Sequence, residues 1–192
     1  MSVRIGVLAL QGDFAEHGAM LGRLDAEPVE VRQTSDMDGI AGLIIPGGES
    51  TTIGKLMERY GFREPIRDLA QSGKPIWGTC AGLILMARDV GRCQPLLNLL
   101  DITVERNAFG RQTDSFETDL EIEGISGGPF PAVFIRAPVV RDVGPGVQVL
   151  SRLEDGTIVA VRRGRLFGTA FHPELTGDTR LHASFVEMAG QA

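Results

Sequence analysis

The sequence predicts one three-layer α/β domain spanning residues 1–192, with a mostly parallel central sheet that antiparallel strands extend in the C-terminal half. Three observations carry this. The N-terminal half alternates short, continuous apolar runs with amphipathic ones, the rhythm of strands buried on both faces between helices. The C-terminal half changes to short β-prone segments separated by Gly, Pro or Asp. No internal repeat, low-complexity linker or charge run marks a second domain, and a chain of this length can bury roughly 70% of its unfolded surface.

VRIGVLAL (3–10) is an apolar run of strand length. Helical spacing follows from Asp13 to about Asp25, with Phe14, His17, Met20, Leu21 and Leu24 on one side. PVEVRQ (28–33) and GLIIP (42–46) read as the next strands. STTIGKLMERYG offers Ser50 and Thr51 as N-caps and Gly61 as a stop. Pro65 opens PIRDLAQSG, KPIWGT (74–79) is a strand, and AGLILMARD the helix after it. DITVERN, DSFETDLEIEG, AVFIRAP, GVQVLSRL, GTIVAVRRG and RLFGTAFHP supply the later strands and hairpins, and a helix from about Asp178 to Ala189 closes the fold.

With 19 basic and 25 acidic residues the net charge is −6, which suits a soluble protein and argues against a nucleic-acid surface. Arg162, Arg163 and Arg165 form a small basic cluster that reads as a solvated hairpin face. The apolar runs are too short to span a bilayer, and MSVRIGVLAL lacks the marks of a secretory signal. A cytoplasmic location with Cys80 and Cys93 as free thiols is the expectation.

The chemistry centres on PIWGTCAGLILMA. A strand delivers Cys80 to a Gly-x-Cys-x-Gly corner, where Gly78 and Gly82 remove the side chains that would block a tight strand-to-helix turn. A helix opening just after Cys80 places its positive end near the sulfur, which favours a nucleophilic thiolate. The Ala81 amide is then a candidate oxyanion donor. Far downstream, TAFHPEL presents His172 and Glu174 across Pro173. Pro173 fixes a non-helical turn in which the carboxylate reaches back to the imidazole, selecting the tautomer that leaves the other nitrogen free for the thiol proton. PGGES (46–50) follows a strand and precedes a helix, and its glycine pair makes Gly48 a second oxyanion candidate. The cysteines and histidines do not form a metal-ligand spacing.

LALQGDFAEH, IIPGGESTT, WGTCAGLILMA, VERNAFGRQTDSFE, AVFIRAP and AFHPELT together resemble the glutaminase subunit family of pyridoxal 5′-phosphate synthase, which are class I (triad) glutamine amidotransferases. The resemblance covers about residues 3–188. GTCAG with HPE marks the wider class, and PGGESTT, RNAFGRQ and FIRAP narrow it to the vitamin B6 branch.

The resemblance implies a flavodoxin-like amidotransferase fold and hydrolysis of L-glutamine to glutamate and ammonia through a thioester on Cys80. His172 would move the protons and Glu174 would orient it. Gly48, Glu49 and Ser50 would line the glutamine pocket, and Arg106, Ile135 and Arg136 would hold the substrate. Gln11 would couple the site to the partner. That partner would be a (β/α)₈ synthase subunit, in a large hetero-oligomer with twelve copies of each chain by family expectation; no cofactor or metal is implied.

Asn98 stands where the family usually has glycine. His17 is expected on a helix facing the partner, His182 on the closing helix and Cys93 in a loop. A glutaminase serving histidine or purine synthesis, a related elbow hydrolase, and a non-enzymatic regulatory subunit are the competing readings.

Overall fold

A computed structural model of the chain describes residues 2–108 and 115–191. Within RNAFGRQ, residues 109–112 lie outside the described residues. The first half alternates as the apolar rhythm predicts: β1 (Val3–Leu8), α1 (Phe14–Leu21), β2 (Ala26–Val31), β3 (Gly42–Ile45), α2 (Ser50–Arg59), α3 (Arg63–Gln71), β4 (Ile76–Thr79) and α4 (Ala81–Met86). The second half contains β5 (Ala87–Asp89), β6 (Leu100–Glu105), β7 (Ser115–Leu120), β8 (Phe130–Ile135), β9 (Val139–Val143), β10 (Gln148–Arg152), β11 (Ile158–Arg163) and β12 (Leu166–Thr169), and α5 (Arg180–Gly190) closes it.

Among the described residues the main sheet runs β2-β1-β3-β4-β12-β11-β9-β6-β5, with β10 paired to β11 off this path. β2, β1, β3, β4 and β12 are mutually parallel. The pairs β12–β11, β11–β9, β9–β6 and β10–β11 are antiparallel, and β5 joins β6 in parallel. β7 and β8 form a separate antiparallel ribbon. α1 and α5 pack together over β1, while α2 packs with α4 over β3 and β4. Strands β3 and β4 are buried along their whole length, which is why GLII and IWGT are continuous apolar runs rather than alternating ones. Among the described residues no helix is long and apolar enough to cross a membrane.

Several local expectations are corrected. The helix after Cys80 ends at Met86, and Ala87–Asp89 is a short strand rather than its last turn. Helix α2 is capped by Glu49, not by Ser50 or Thr51: the carboxylate accepts hydrogen bonds from the amides of Thr51 (3.1 Å) and Thr52 (2.7 Å). Helix α3 begins at Arg63, so Pro65 sits inside its first turn, where a missing amide costs no hydrogen bond. AVFIRAP supplies β8, and β9 follows it at Val139–Val143 as a strand that the sequence reading did not mark. The largest difference is β12, which lies between β4 and β11, parallel to the first and antiparallel to the second, so one strand of the C-terminal half joins the parallel set.

Asn98 has φ +54°, a left-handed conformation that glycine adopts freely and asparagine tolerates best among the others. That conformation suits the glycine that the resemblance leads one to expect there, and Asn as its substitute. Arg162 and Arg163 end β11 and Arg165 follows Gly164 in the turn to β12, so the basic cluster does lie on a hairpin.

Candidate active site

The parallel strands all point their carboxyl ends at one place, the position where open α/β sheets bind ligands. β4 ends at Thr79 and releases Cys80. β12 ends at Thr169, in register with Thr79, and leads through Phe171 to His172. β3 leads into PGGES, and β1 into Gln11 and Asp13. The parallel placement of β12 is therefore what brings a histidine from the end of the chain next to a cysteine from its middle.

Cys80 is buried, with φ +48° and ψ −102°. A β-carbon-bearing residue rarely adopts this region, and such strain is tolerated where the surroundings over-determine it. Two constraints do so here. The Cys80 amide donates to the Thr169 carbonyl at 2.8 Å, tying the corner to β12. On the other side the first turn of α4 lies directly on β3: a β-carbon on Gly82 would stand 1.9 Å from the Ile45 carbonyl oxygen, and one on Gly78 would stand 2.5 Å from the Gly82 carbonyl carbon. Both glycines are contact points of backbone with backbone.

His172 is 5% exposed and Glu174 5%. Pro173–Leu175 is one turn of 3₁₀ helix, not the non-helical turn expected, and it carries the carboxylate back as anticipated: Glu174 Oε1 lies 2.7 Å from His172 Nδ1. Asp13 adds a second carboxylate, its Oδ2 3.3 Å from the same nitrogen. Burial pulls the His172 imidazole down, but its hydrogen bonds with Asp13, Cys80 and Glu174 outweigh this and push it up to about 12. Burial raises the Glu174 carboxyl while the bond to His172 opposes it. With Asp13 and Cys80 also favouring imidazolium, the shared proton sits on His172. Asp13, His172 and Glu174 offer donor atoms within 4.8 Å of one another. Nδ1 is already committed to Glu174, so the geometry is that of a hydrogen-bonded imidazole–carboxylate dyad beside a thiol.

These groups floor a cleft of about 390 Å³. Gln11, Gly48, Glu49, Ser50, Cys80, Ala81, Arg106, Ile135, Arg136 and His172 all line it, and Glu174 sits behind His172. The loop is held by Gln11, whose Oε1 accepts a hydrogen bond from the Glu49 amide at 2.8 Å. Gly48 has φ +150° beneath it. Arg106 is already engaged: it reaches Glu49 Oε1 at 3.2 Å, Gln94 Oε1 at 3.1 Å and Thr51 Oγ1 at 3.3 Å. Arg136 is exposed, at φ +43°, and its side chain makes no hydrogen bond or ion pair among the described residues.

The chain matches the SNO glutamine amidotransferase family over residues 7–191. It is 58% identical to the "Pyridoxal 5'-phosphate synthase subunit PdxT" of Dehalococcoides mccartyi, over 97% of each chain. The protein of the same name from Moorella thermoacetica is 55% identical, over 98% of this chain and 100% of that one. The chain belongs to the SNO glutamine amidotransferase family. A solved structure titled "Crystal structure of glutamine amidotransferase" superposes with a TM-score of 0.90 at 51% identity, covering 97% of this chain and 98% of the other. The PurLQS structure from Thermotoga maritima shares the fold, with a TM-score of 0.68 at 19% identity.

Within this family frame, sequence reasoning missed Asp13 and gave His17 no part in the site. Both lie in LALQGDFAEH, four residues apart at the start of α1, a spacing that puts them on one helix face. That spacing was the available signal. His17 lies on α1 on the same side as Met20 and Leu21, as the helical spacing predicts, and is fully buried behind Glu174. His182 is on α5 as expected, also fully buried, and Cys93 is exposed between β5 and β6.

Proposed function

We propose that residues 1–192 form a single glutaminase domain that hydrolyses L-glutamine to L-glutamate and ammonia and passes the ammonia to the synthase subunit of pyridoxal 5′-phosphate synthase. The observation that carries the reading is Cys80, held at positive φ in a cleft beside a His172 that is hydrogen-bonded to Glu174. Family membership and the names of the relatives supply the substrate and the pathway.

Cys80 Sγ attacks the side-chain amide carbon of glutamine, and the amide oxygen takes up the negative charge. Ala81 and Gly48 are the proposed amide donors for that oxygen. His172 gives a proton to the departing nitrogen, the C–N bond breaks, and ammonia leaves a γ-glutamyl thioester. His172 then removes a proton from water, which attacks the thioester; the C–S bond breaks, glutamate departs and Cys80 regains its proton. Glu174 keeps the His172 Nδ1 proton in place throughout.

Arg136 is the better partner for the substrate α-carboxylate, since the Arg106 guanidinium is spent on Glu49, Gln94 and Thr51. Arg106 instead fixes Glu49, which lines the pocket with Ser50 and Ile135. The Gln11–Glu49 bond supports a role for Gln11 in setting the loop when the (β/α)₈ synthase subunit docks. Assembly into a hetero-oligomer with twelve copies of each chain is part of the proposal, and mass measurement of the mixed subunits tests it. The activity is tested by ammonia release from glutamine with and without the synthase subunit. We expect release by the wild type, faster with the synthase, and none by Cys80→Ala; undiminished release by that variant would sink the assignment.

A further inference from the structure

Behind Glu174 lies a buried chain of polar groups that the triad reaction does not use. His17 Nδ1 is 2.9 Å from His182 Nε2, and His17 Nε2 faces both Thr79 Oγ1 at 3.1 Å and Glu174 Oε2 at 3.3 Å. His17 and His182 are both fully buried and pack on the Trp77 ring, at 5.8 Å and 4.9 Å between centroids. Burial holds the His17 and His182 imidazoles below their ordinary range, so both are neutral, each with one proton and one lone pair.

The positions of those two protons follow from where partners exist. Among the described residues His182 Nδ1 is buried without a hydrogen-bond partner. A proton there would be an orphaned buried donor, the rarer and costlier defect, whereas a bare lone pair is tolerated. The His182 proton therefore sits on Nε2 and is donated to His17 Nδ1. That leaves His17 with its own proton on Nε2, on the side of Thr79 and Glu174. Glu174 Oε2 in turn makes no hydrogen bond among the described residues, and His17 Nε2 is the nitrogen that faces it. A buried carboxylate keeps its charge only where donors meet it.

We propose that His17 is a positioning residue for glutamine hydrolysis: its neutral imidazole presents Nε2–H to Glu174 Oε2, fixing the rotation and the charge of the carboxylate whose other oxygen holds His172. His182, donating from behind, sets the tautomer of His17. The triad is thereby extended inward, in the order Cys80, His172, Glu174, His17, His182. Asp13, just before α1, faces His172, and His17, within α1, faces Glu174.

The inference rests on the glutaminase reading for its kinetic consequence but not for its tautomer, and two measurements separate them. The chain has three histidines, so imidazole ¹⁵N resonances of the free protein are assignable. His17 is expected as the neutral Nε2–H form; an Nδ1–H form or an imidazolium near neutral pH would overturn the proposal whatever the substrate.

The second measurement compares His17→Gln, whose amide nitrogen can stand near the lost Nε2, with His17→Asn, whose amide stands near Nδ1 and cannot reach Glu174. Both are assayed for glutamine hydrolysis with the synthase subunit present. His17→Asn should lower kcat by roughly 10- to 100-fold, the range seen when a group orienting a functional side chain is lost. KM for glutamine should stay within about two-fold, since His17 touches no substrate. His17→Gln should recover most of kcat. Equal losses in both variants that track their melting temperatures would show a packing role only, and a His17→Asn enzyme with wild-type kcat would equally refute the proposal.

Discussion

Substituting Gly82 by alanine tests the elbow at its tightest contact. The added β-carbon would lie 1.9 Å from the Ile45 carbonyl oxygen and 2.8 Å from its carbonyl carbon, both backbone atoms that no rotamer change can move. To restore a normal contact, α4 and the end of β3 must separate by about 1 Å, because interiors packed to crystal density have no slack to absorb it. Cys80 precedes Gly82 by two residues, and Ile45 is followed directly by PGGES, so the displacement reaches both the proposed nucleophile and the proposed oxyanion loop.

Overpacking of this kind costs about 1–3 kcal/mol of stability. A misplacement near 1 Å costs catalysis on the order of 10²-fold. Glutamate release at saturating glutamine, with the synthase subunit present, should fall by that factor in Gly82→Ala. The protein should still melt cooperatively, lower by roughly 2–4 °C per kcal/mol lost. If kcat stays within about threefold of wild type and the melting temperature is unchanged, the backbone contact does not position the nucleophile and the elbow argument fails.

Arg136→Ala should raise KM for glutamine by roughly 10- to 100-fold, the worth of a charge-assisted hydrogen bond to a carboxylate, with a smaller change in kcat; steady-state kinetics at graded glutamine check this. Glu49 is held at about 2: burial works against this, but hydrogen bonds from the Thr52 hydroxyl and from the Thr51 and Thr52 amides prevail. Its folded value lies below the ordinary 4.5, so its stabilisation is complete above 4.5 and is lost as pH falls toward 2. Glu49→Ala should cost about 1 kcal/mol near pH 7 through the lost cap, and urea titrations should show the gap to wild type closing as pH falls through that window. Gly18→Ala places a methyl where nothing lies within 4 Å, in mid-helix α1, and should raise stability by about 0.5–1 kcal/mol in thermal melts.

The buried parallel strands and the Gly-x-Cys-x-Gly corner were legible because each is a local pattern. An apolar run of four to six residues is ambiguous by itself, as the buried helix Ala81–Met86 shows, but the β-branched residues and bounding turn residues of the strand runs favour strand, and the two glycines around Cys80 report the steric demand of the corner itself. What escaped was set by contacts between distant residues. The β character of RLFGT says strand, but not whether Thr169 will pair with Thr79 in parallel or with another neighbour in antiparallel. Glu49 is a poor cap by residue type, and takes that role because Gln11 holds its amide and Arg106 its carboxylate. His17 looked like one more residue on an amphipathic helix. Its partners Thr79, Glu174 and His182 come from three other elements, so no periodicity within α1 could reveal them.

The connection from β1 into α1 does more than join two elements. Gln11 holds the Glu49 amide, Asp13 donates its amide to the Gly47 carbonyl and turns its carboxylate to His172, and His17 faces Glu174. One stretch of seven residues thus touches the proposed oxyanion loop, the proposed proton carrier and the carboxylate proposed to orient it, and none of these contacts requires substrate. The same helix leaves Ala15, Glu16 and Ala19 exposed. Substitutions on α1 therefore divide by face. Those on the exposed side act on the surface alone, whereas those on the inner side alter the triad from behind. A kcat loss without a KM change is the mark of the inner face, because the groups it disturbs orient the reacting residues and do not hold the glutamine.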